Sequence, residues 1–167
     1  MKLHIPSALR RLAVLPALLA AGTACAGACS VSTTGLAFGA YQPLTFAGKL
    51  ASTPRTSDAL ISVVCTGIVA GGSYTIGLGP SMAGNSIDPR YLVNSSGGPD
   101  MVFNVYREAS YVSIWGDGFS GGLLSGSIPI GDSNQSHTVY GKIPAGQSTL
   151  RAGTFSGTMT MTLTYNP

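Results

Sequence analysis

An all-β sandwich is the fold class this sequence predicts, and three observations carry the prediction. Charged residues make up only 9% of the 167, Gly accounts for 23, and Ser and Thr are abundant, a balance that favours short strands and tight turns over amphipathic helices. Eight strand-like runs separated by turn clusters recur along the chain. The last of them alternates strictly from Thr158 to Tyr165, placing Met159, Met161, Leu163 and Tyr165 on one face and threonines on the other.

The N-terminus is the exception to the strand pattern. Lys2, Arg10 and Arg11 precede an apolar run, Leu12 to Ala21, followed by the small residues around Ala24-Cys25-Ala26. This is the pattern of a secretory signal peptide. The apolar run is about ten residues, short of the about 20 a membrane-spanning helix needs. Residues 1–26 are therefore expected to be removed, leaving one domain over 27–167; a second small-x-small site would move the cleavage to follow Ala28 and make Cys29 the first residue. A lipoprotein site at Cys25 is the weaker reading, because Gly22-Thr23-Ala24 lacks a large aliphatic residue three before the cysteine.

Loss of the signal changes the charge and cysteine balance. The formal net charge of +3 becomes neutral: Lys49, Arg55, Arg90, Arg107, Lys142 and Arg151 face Asp58, Asp88, Asp100, Glu108, Asp117 and Asp132. A neutral surface offers no electrostatic footprint for nucleic acid, and none is expected as a partner. Cys25 departs, leaving Cys29 and Cys65, which in an oxidising compartment should pair; two free buried thiols are the alternative. A bridge closing a loop of roughly 36 residues is worth about 3 to 4 kcal/mol in the chain-entropy estimate.

The expected strands are Ser30 to Tyr41, Leu60 to Thr66, Tyr74 to Gly79, Arg90 to Asn94, Met101 to Arg107, Tyr111 to Trp115, His137 to Ile143 and Phe155 to Tyr165. Their parity predicts inward faces at Ile61, Val63 and Cys65, at Tyr74, Ile76 and Leu78, and at Val139, Gly141 and Ile143. The Pro43 to Pro54 stretch, the Asn94 to Pro99 stretch and the Gly- and Ser-rich segment from Gly116 to Ser136 read as surface connections. Asn94-Ser95-Ser96 formally matches a glycosylation sequon.

Catalytic constellations are weak. Gly118-Phe119-Ser120-Gly121-Gly122 is a G-x-S-x-G string followed by Asp132 and His137, but it lacks the strand-turn-helix elbow the mechanism needs and sits in a glycine-rich loop. His137 is the only histidine in the mature chain, so neither a histidine-based metal site nor a Cys/His dyad can be built; it is expected to cap or flank a strand. The carboxylates stand next to turn signals, where Asp usually bonds its own backbone. No phosphate loop or dinucleotide fingerprint is present, and no enzyme activity, metal or cofactor is expected. Tyr106, Tyr111, Trp115, Phe119 and Tyr140 could form a sugar- or surface-binding patch, although core and loop packing is the plainer reading.

Several strings coincide in order. They are Cys29-x-Val31, Phe38-Gly39-x-Tyr41, Ile61-x-Val63-x-Cys65, Asn104-x-Tyr106, Trp115-Gly116-Asp117-Gly118, the run Val139 to Gln147 with Tyr140, Gly141, Pro144 and Gly146, and Ala152-Gly153-x-Phe155 leading into the closing strand. Over the whole mature chain the sequence resembles the spore coat protein U domain, a family that includes subunits of archaic chaperone-usher pili. The resemblance implies an immunoglobulin-like sandwich, incomplete because it lacks its final strand. Met159, Met161, Leu163 and Tyr165 would then border a groove filled by β-strand addition, first from a periplasmic chaperone and later from a neighbouring subunit delivered at an outer-membrane usher. Four such side chains at about 1.5 to 3 kcal/mol each represent a burial comparable to the about 5 to 15 kcal/mol that holds a whole domain together.

One departure from the family pattern matters. Polymerising subunits carry an alternating donor segment before the first cysteine, whereas here only Gly27 and Ala28 stand between the expected cleavage site and Cys29. The expected role is an exported structural or adhesive subunit of a pilus or surface coat, with a part in cell adhesion and biofilm, that accepts a strand without donating one, as a tip subunit must. A free secreted lectin-like binding module is the alternative.

Overall fold

The computed structural model describes residues 27–44 and 52–166; the expected signal segment lies outside the described residues. Nine strands are present among the described residues, and no helix: β1 (Ala28–Thr33), β2 (Arg55–Ile68), β3 (Gly72–Ser81), β4 (Arg90–Asn94), β5 (Met101–Tyr106), β6 (Leu124–Ile128), β7 (Gly131–Ile143), β8 (Phe155–Ser156) and β9 (Met159–Asn166). Their ladders are antiparallel. One sheet has the order β1-β2-β7-β5-β4-β8 and the other β6-β3-β9, packed as a sandwich of immunoglobulin-like type. No helix of the described residues is long and apolar enough to cross a membrane.

The inward faces follow the period of two. Ile61, Val63 and Cys65 of β2, Val139 and Ile143 of β7, and Tyr74, Ile76 and Leu78 of β3 are all at most 4% exposed. They form one core between the sheets, because alternation puts every second residue of each facing strand into the same layer. Cys29 stands directly opposite Cys65, and the two form a disulfide that staples the edge strand β1 to β2.

Four expected segments are corrected. The Ser30 to Tyr41 run ends as a strand at Thr33; residues 34–44 belong to no ladder, and Gly35, at φ +77°, turns the chain into a conformation favoured by glycine. The Tyr111 to Trp115 run is a turn with isolated bridges, because the Glu108 carboxylate accepts from the N–H groups of Val112 and Ser113 and so diverts the backbone from a ladder. The 116–136 segment is more than a connection, since it contains β6 and the first half of β7. Its apolar signal is thin because β6 buries only its two ends, Leu124 and Ile128, with Gly126 between them lying against the Tyr74 ring. Finally, the Phe155 to Tyr165 run changes sheets: β8 pairs with β4, and after Gly157 and Thr158 the chain continues as β9 beside β3.

Polar groups tie the two sheets at both ends. At one end Arg90, fully buried, donates from Nε to Gly79 O at 3.0 Å, from one terminal nitrogen to Asn104 Oδ1 at 2.7 Å, and from the other to Leu78 O and Trp115 O at 2.8 and 2.9 Å. At the other, Tyr74 Oη of β3 lies 2.7 Å from His137 Nε2 and 3.1 Å from Gln135 Oε1, and Gln135 Nε2 donates to Ser127 O of β6. The hydroxyl has one proton; with it given to Gln135, the imidazole must donate from Nε2. His137 thus stands inside β7 and not at a strand end.

Burial holds the His137 imidazole below the ordinary histidine range. A folded-state value below the unfolded one means that the folded state resists the proton. The resulting stability is present above the unfolded value of about 6.5 and is lost as pH falls through the folded value. The urea midpoint is accordingly expected to fall from about pH 7 to about pH 5, with a smaller fall in His137→Gln. Equal slopes in the two proteins would exclude His137 as the source.

Candidate functional site

A groove of about 1030 Å³ opens on the inner side of the six-stranded sheet. Its floor is apolar, with Ala59, Val139 and Ile143 from β2 and β7 and Phe103 and Val105 from β5. One wall is the 34–44 segment, and the other runs from Leu150 through β8 to Met159 and Met161 of β9. The sheet order leaves β9 paired only to β3 and β1 paired only to β2, so among the described residues the outer edge of each strand is unpaired.

The 34–44 wall is pinned by specific contacts. Thr34 N donates to Leu60 O and Thr34 Oγ1 accepts from Leu60 N, at 3.1 and 3.0 Å, while Ala37 N donates to Ser57 Oγ at 3.0 Å. At its far end Tyr41 Oη donates to Pro144 O at 2.7 Å and accepts from Gln147 N at 3.3 Å. Between these anchors Phe38 meets Phe103 edge-to-face at 6.1 Å, and Leu36 and Phe38 lie over Gly141.

That glycine has a steric task. A Cβ there would stand 2.6 Å from the Phe38 ring and 2.9 Å from Leu36 Cδ1. Gly141→Val is expected to lower stability by about 1 to 3 kcal/mol through overpacking, and to free the 34–44 wall. Urea unfolding together with proteolysis at residues 34–44 checks both effects; unchanged protection would mean that the wall does not depend on the glycine.

The residues singled out in the sequence are distributed as follows. Met159 and Met161 line the groove. Leu163 and Tyr165, further along β9, are half-buried against the core, and Tyr165 Oη donates to Ala70 O at 3.1 Å. Trp115 is in the core, 2% exposed, with Nε1 donating to Ile76 O at 2.9 Å, so it leaves the expected surface patch. Gly116 and Gly118 shape the turn after it, and Asp117 Oδ1 accepts from Ser120 N and Phe119 N at 2.8 and 2.9 Å. These bonds, that from Ser120 foremost, hold the Asp117 carboxyl below the usual carboxylate range. Pro144 receives Tyr41, while Gly146, at φ +79°, donates its N–H to Ser52 Oγ at 2.7 Å. Gln147 caps β5, its side chain exchanging two hydrogen bonds with the Val102 backbone. Tyr140 faces away from the groove, toward Tyr111. Sequence reasoning missed Leu36, Phe38, Leu92, Met101 and Phe155 as groove residues; the alternation of Leu36 and Phe38 was the available signal.

The other sequence strings have local structural roles. Ser120 sits in the Asp117 turn, Asp132 accepts from Gly67 N at 2.8 Å, and His137 is engaged with Tyr74, so the three do not form a relay. Asn94 is 3% exposed, donates to Arg151 O and accepts from Ser96 N, leaving its amide inaccessible to a modifying enzyme. Among the described residues no group of three or more His, Cys, Asp or Glu could hold a metal ion.

The family model of the Spore Coat Protein U domain matches residues 15–162. No curated protein matches the chain.

Proposed function

The chain belongs to the Spore Coat Protein U domain family, and from that premise we propose that it is an exported subunit of a chaperone-usher pilus or surface coat that accepts a β-strand into its groove. The family is one of structural subunits of pili and surface structures. The observation that carries the strand-accepting reading is the coincidence of an apolar groove of about 1030 Å³ with the unpaired edge of β9. An unpaired edge offers backbone donors and acceptors for a ladder, while the alternating floor offers pockets for every second side chain of the incoming strand. This is β-strand addition. Met159 and Met161 would contact the added strand, with Leu163 and Tyr165 continuing the same edge.

A periplasmic chaperone would fill the groove first, and a neighbouring subunit would replace it at the outer-membrane usher. A terminal position is supported by the residues before Cys29: Ala28 already pairs with Thr66 inside the domain's own sheet, which leaves Gly27 between it and the expected cleavage site. Such a subunit receives a strand and has no segment there to donate. Self-polymerisation of the purified mature protein through its N-terminus would refute the terminal position.

Periplasmic expression with and without a cognate chaperone tests the central reading. A stoichiometric complex, and poor recovery without the chaperone, is the expected result. A lone protein of high stability with the backbone amides of β9 fully protected from exchange would overturn it.

A further inference from the structure

The outer face of the six-stranded sheet carries a cluster that the groove does not use. Tyr106 of β5 and Tyr140 of β7 are directly opposite in the ladder, so their rings rise from the same face. Tyr111 lies against both, edge-to-face, with centroids 5.6 Å from Tyr106 and 6.4 Å from Tyr140. Lys142 Nζ stands 5.2 Å from the centroid of the Tyr111 ring. All four side chains are half-buried and keep part of their surface in solvent.

Tyr111 is held there at a cost in backbone conformation. Its φ is +56°, a left-handed conformation that bulky residues rarely adopt. The turn that imposes it is built around Glu108, whose carboxylate accepts from Val112 N and Ser113 N, and whose carbonyl accepts from Tyr111 N. The bond from Ser113 N, foremost among these contacts, holds the Glu108 carboxyl below the usual carboxylate range, so the clamp persists in its ionised, accepting form. A loop that needed only to connect β5 to the next turn could use glycine at that position; this one brings a third phenol ring to two others.

We propose that Tyr106, Tyr111, Tyr140 and Lys142 form a carbohydrate-binding site for a β-linked polysaccharide chain. Phenol rings stack on the apolar C–H faces of pyranose rings while their hydroxyls stay wet and hydrogen-bond sugar hydroxyls, and the ammonium of Lys142 supplies three further donors. Equatorially substituted sugars keep the C–H faces of their rings clear of hydroxyl groups, so such a chain can lay one face on an open sheet surface. Alternation along β7 separates the two sites: Val139 and Ile143 line the groove while Tyr140 and Lys142 point to the other face. The site therefore stays accessible whether or not the groove is filled, and its occupancy does not depend on the strand-accepting reading.

The test uses the full mature chain recovered from the periplasm, alone or with a co-expressed chaperone, titrated calorimetrically with cellohexaose and chitohexaose. Saturable binding of at least one of them is expected, weakened about tenfold by loss of one stacking ring in Tyr140→Ala. Tyr111→Gly, which accepts the left-handed conformation without strain, is expected to weaken binding to a similar degree while preserving the fold. Phe119→Ala, on a separate exposed turn, should leave the affinity unchanged. Absence of saturable binding to both oligosaccharides, or binding that survives both tyrosine substitutions, overturns the proposal.

Discussion

Met161→Asp is expected to abolish the stoichiometric complex with a strand-donating partner, whereas Thr162→Asp, one residue along the same strand, leaves it intact. Met161 lines the groove, while Thr162 is exposed on the opposite face of β9, beside Gly77 of β3. In the free subunit the new carboxylate at 161 can stay partly hydrated. A strand laid along β9 would cover it, leaving an unpaired charge in an apolar layer at a cost of about 3 to 5 kcal/mol. That is on the order of a thousandfold in affinity. Co-purification with the chaperone, or titration with a donor peptide, measures the effect. A normal complex with Met161→Asp would mean that the partner strand does not run over this face.

Arg90→Met is expected to lower the unfolding free energy by about 3 to 5 kcal/mol. Burial depresses the Arg90 pKa to about 10, outweighing the opposing attraction of Asp117 and Asp88. The guanidinium is therefore still charged at neutral pH, and its burial as such is unfavourable. What offsets this are the four hydrogen bonds to Gly79 O, Leu78 O, Trp115 O and Asn104 Oδ1, which join β3 of one sheet to β4 and β5 of the other. Methionine fills much of the volume but removes the guanidinium donors from three carbonyls, and a buried acceptor that loses its donor costs about 1 to 3 kcal/mol. Arg90→Lys should rescue little, because a point charge cannot reproduce the fork that reaches four acceptors. Urea unfolding measures both variants; a loss below about 1 kcal/mol for Arg90→Met would show that water replaces the guanidinium.

Much of the sandwich was legible because alternation is a local property. The inward faces of β2, β3 and β7 and the amphipathic closing strand follow from spacing and composition within short windows. Of the misread segments, one turns on a local polar contact and the others on residues distant in sequence. Tyr111 looks like the start of a strand until Glu108 captures the N–H groups of Val112 and Ser113. The 124–128 strand carries a glycine at 126 because the Tyr74 ring of another strand lies against it, and Gly141 is small because Leu36 and Phe38 cross over it. No window around 126 or 141 contains the side chain that explains the glycine.

The candidate groove shows the same division. Met159 and Met161 could be placed on an apolar strand face from their alternation with threonine, and the Cys29–Cys65 disulfide was expected from cysteine parity once Cys25 is assigned to the signal segment. The wall formed by residues 34–44, the floor formed by Phe103, Val105 and Val139, and the change of sheet between β8 and β9 could not be placed in this way. They depend on which strands pair and in what order, a matter of contacts between residues far apart in the chain. The direction in which a side chain points is set by the backbone within a few residues of it, but the surface it meets is set by how the two sheets close over one another.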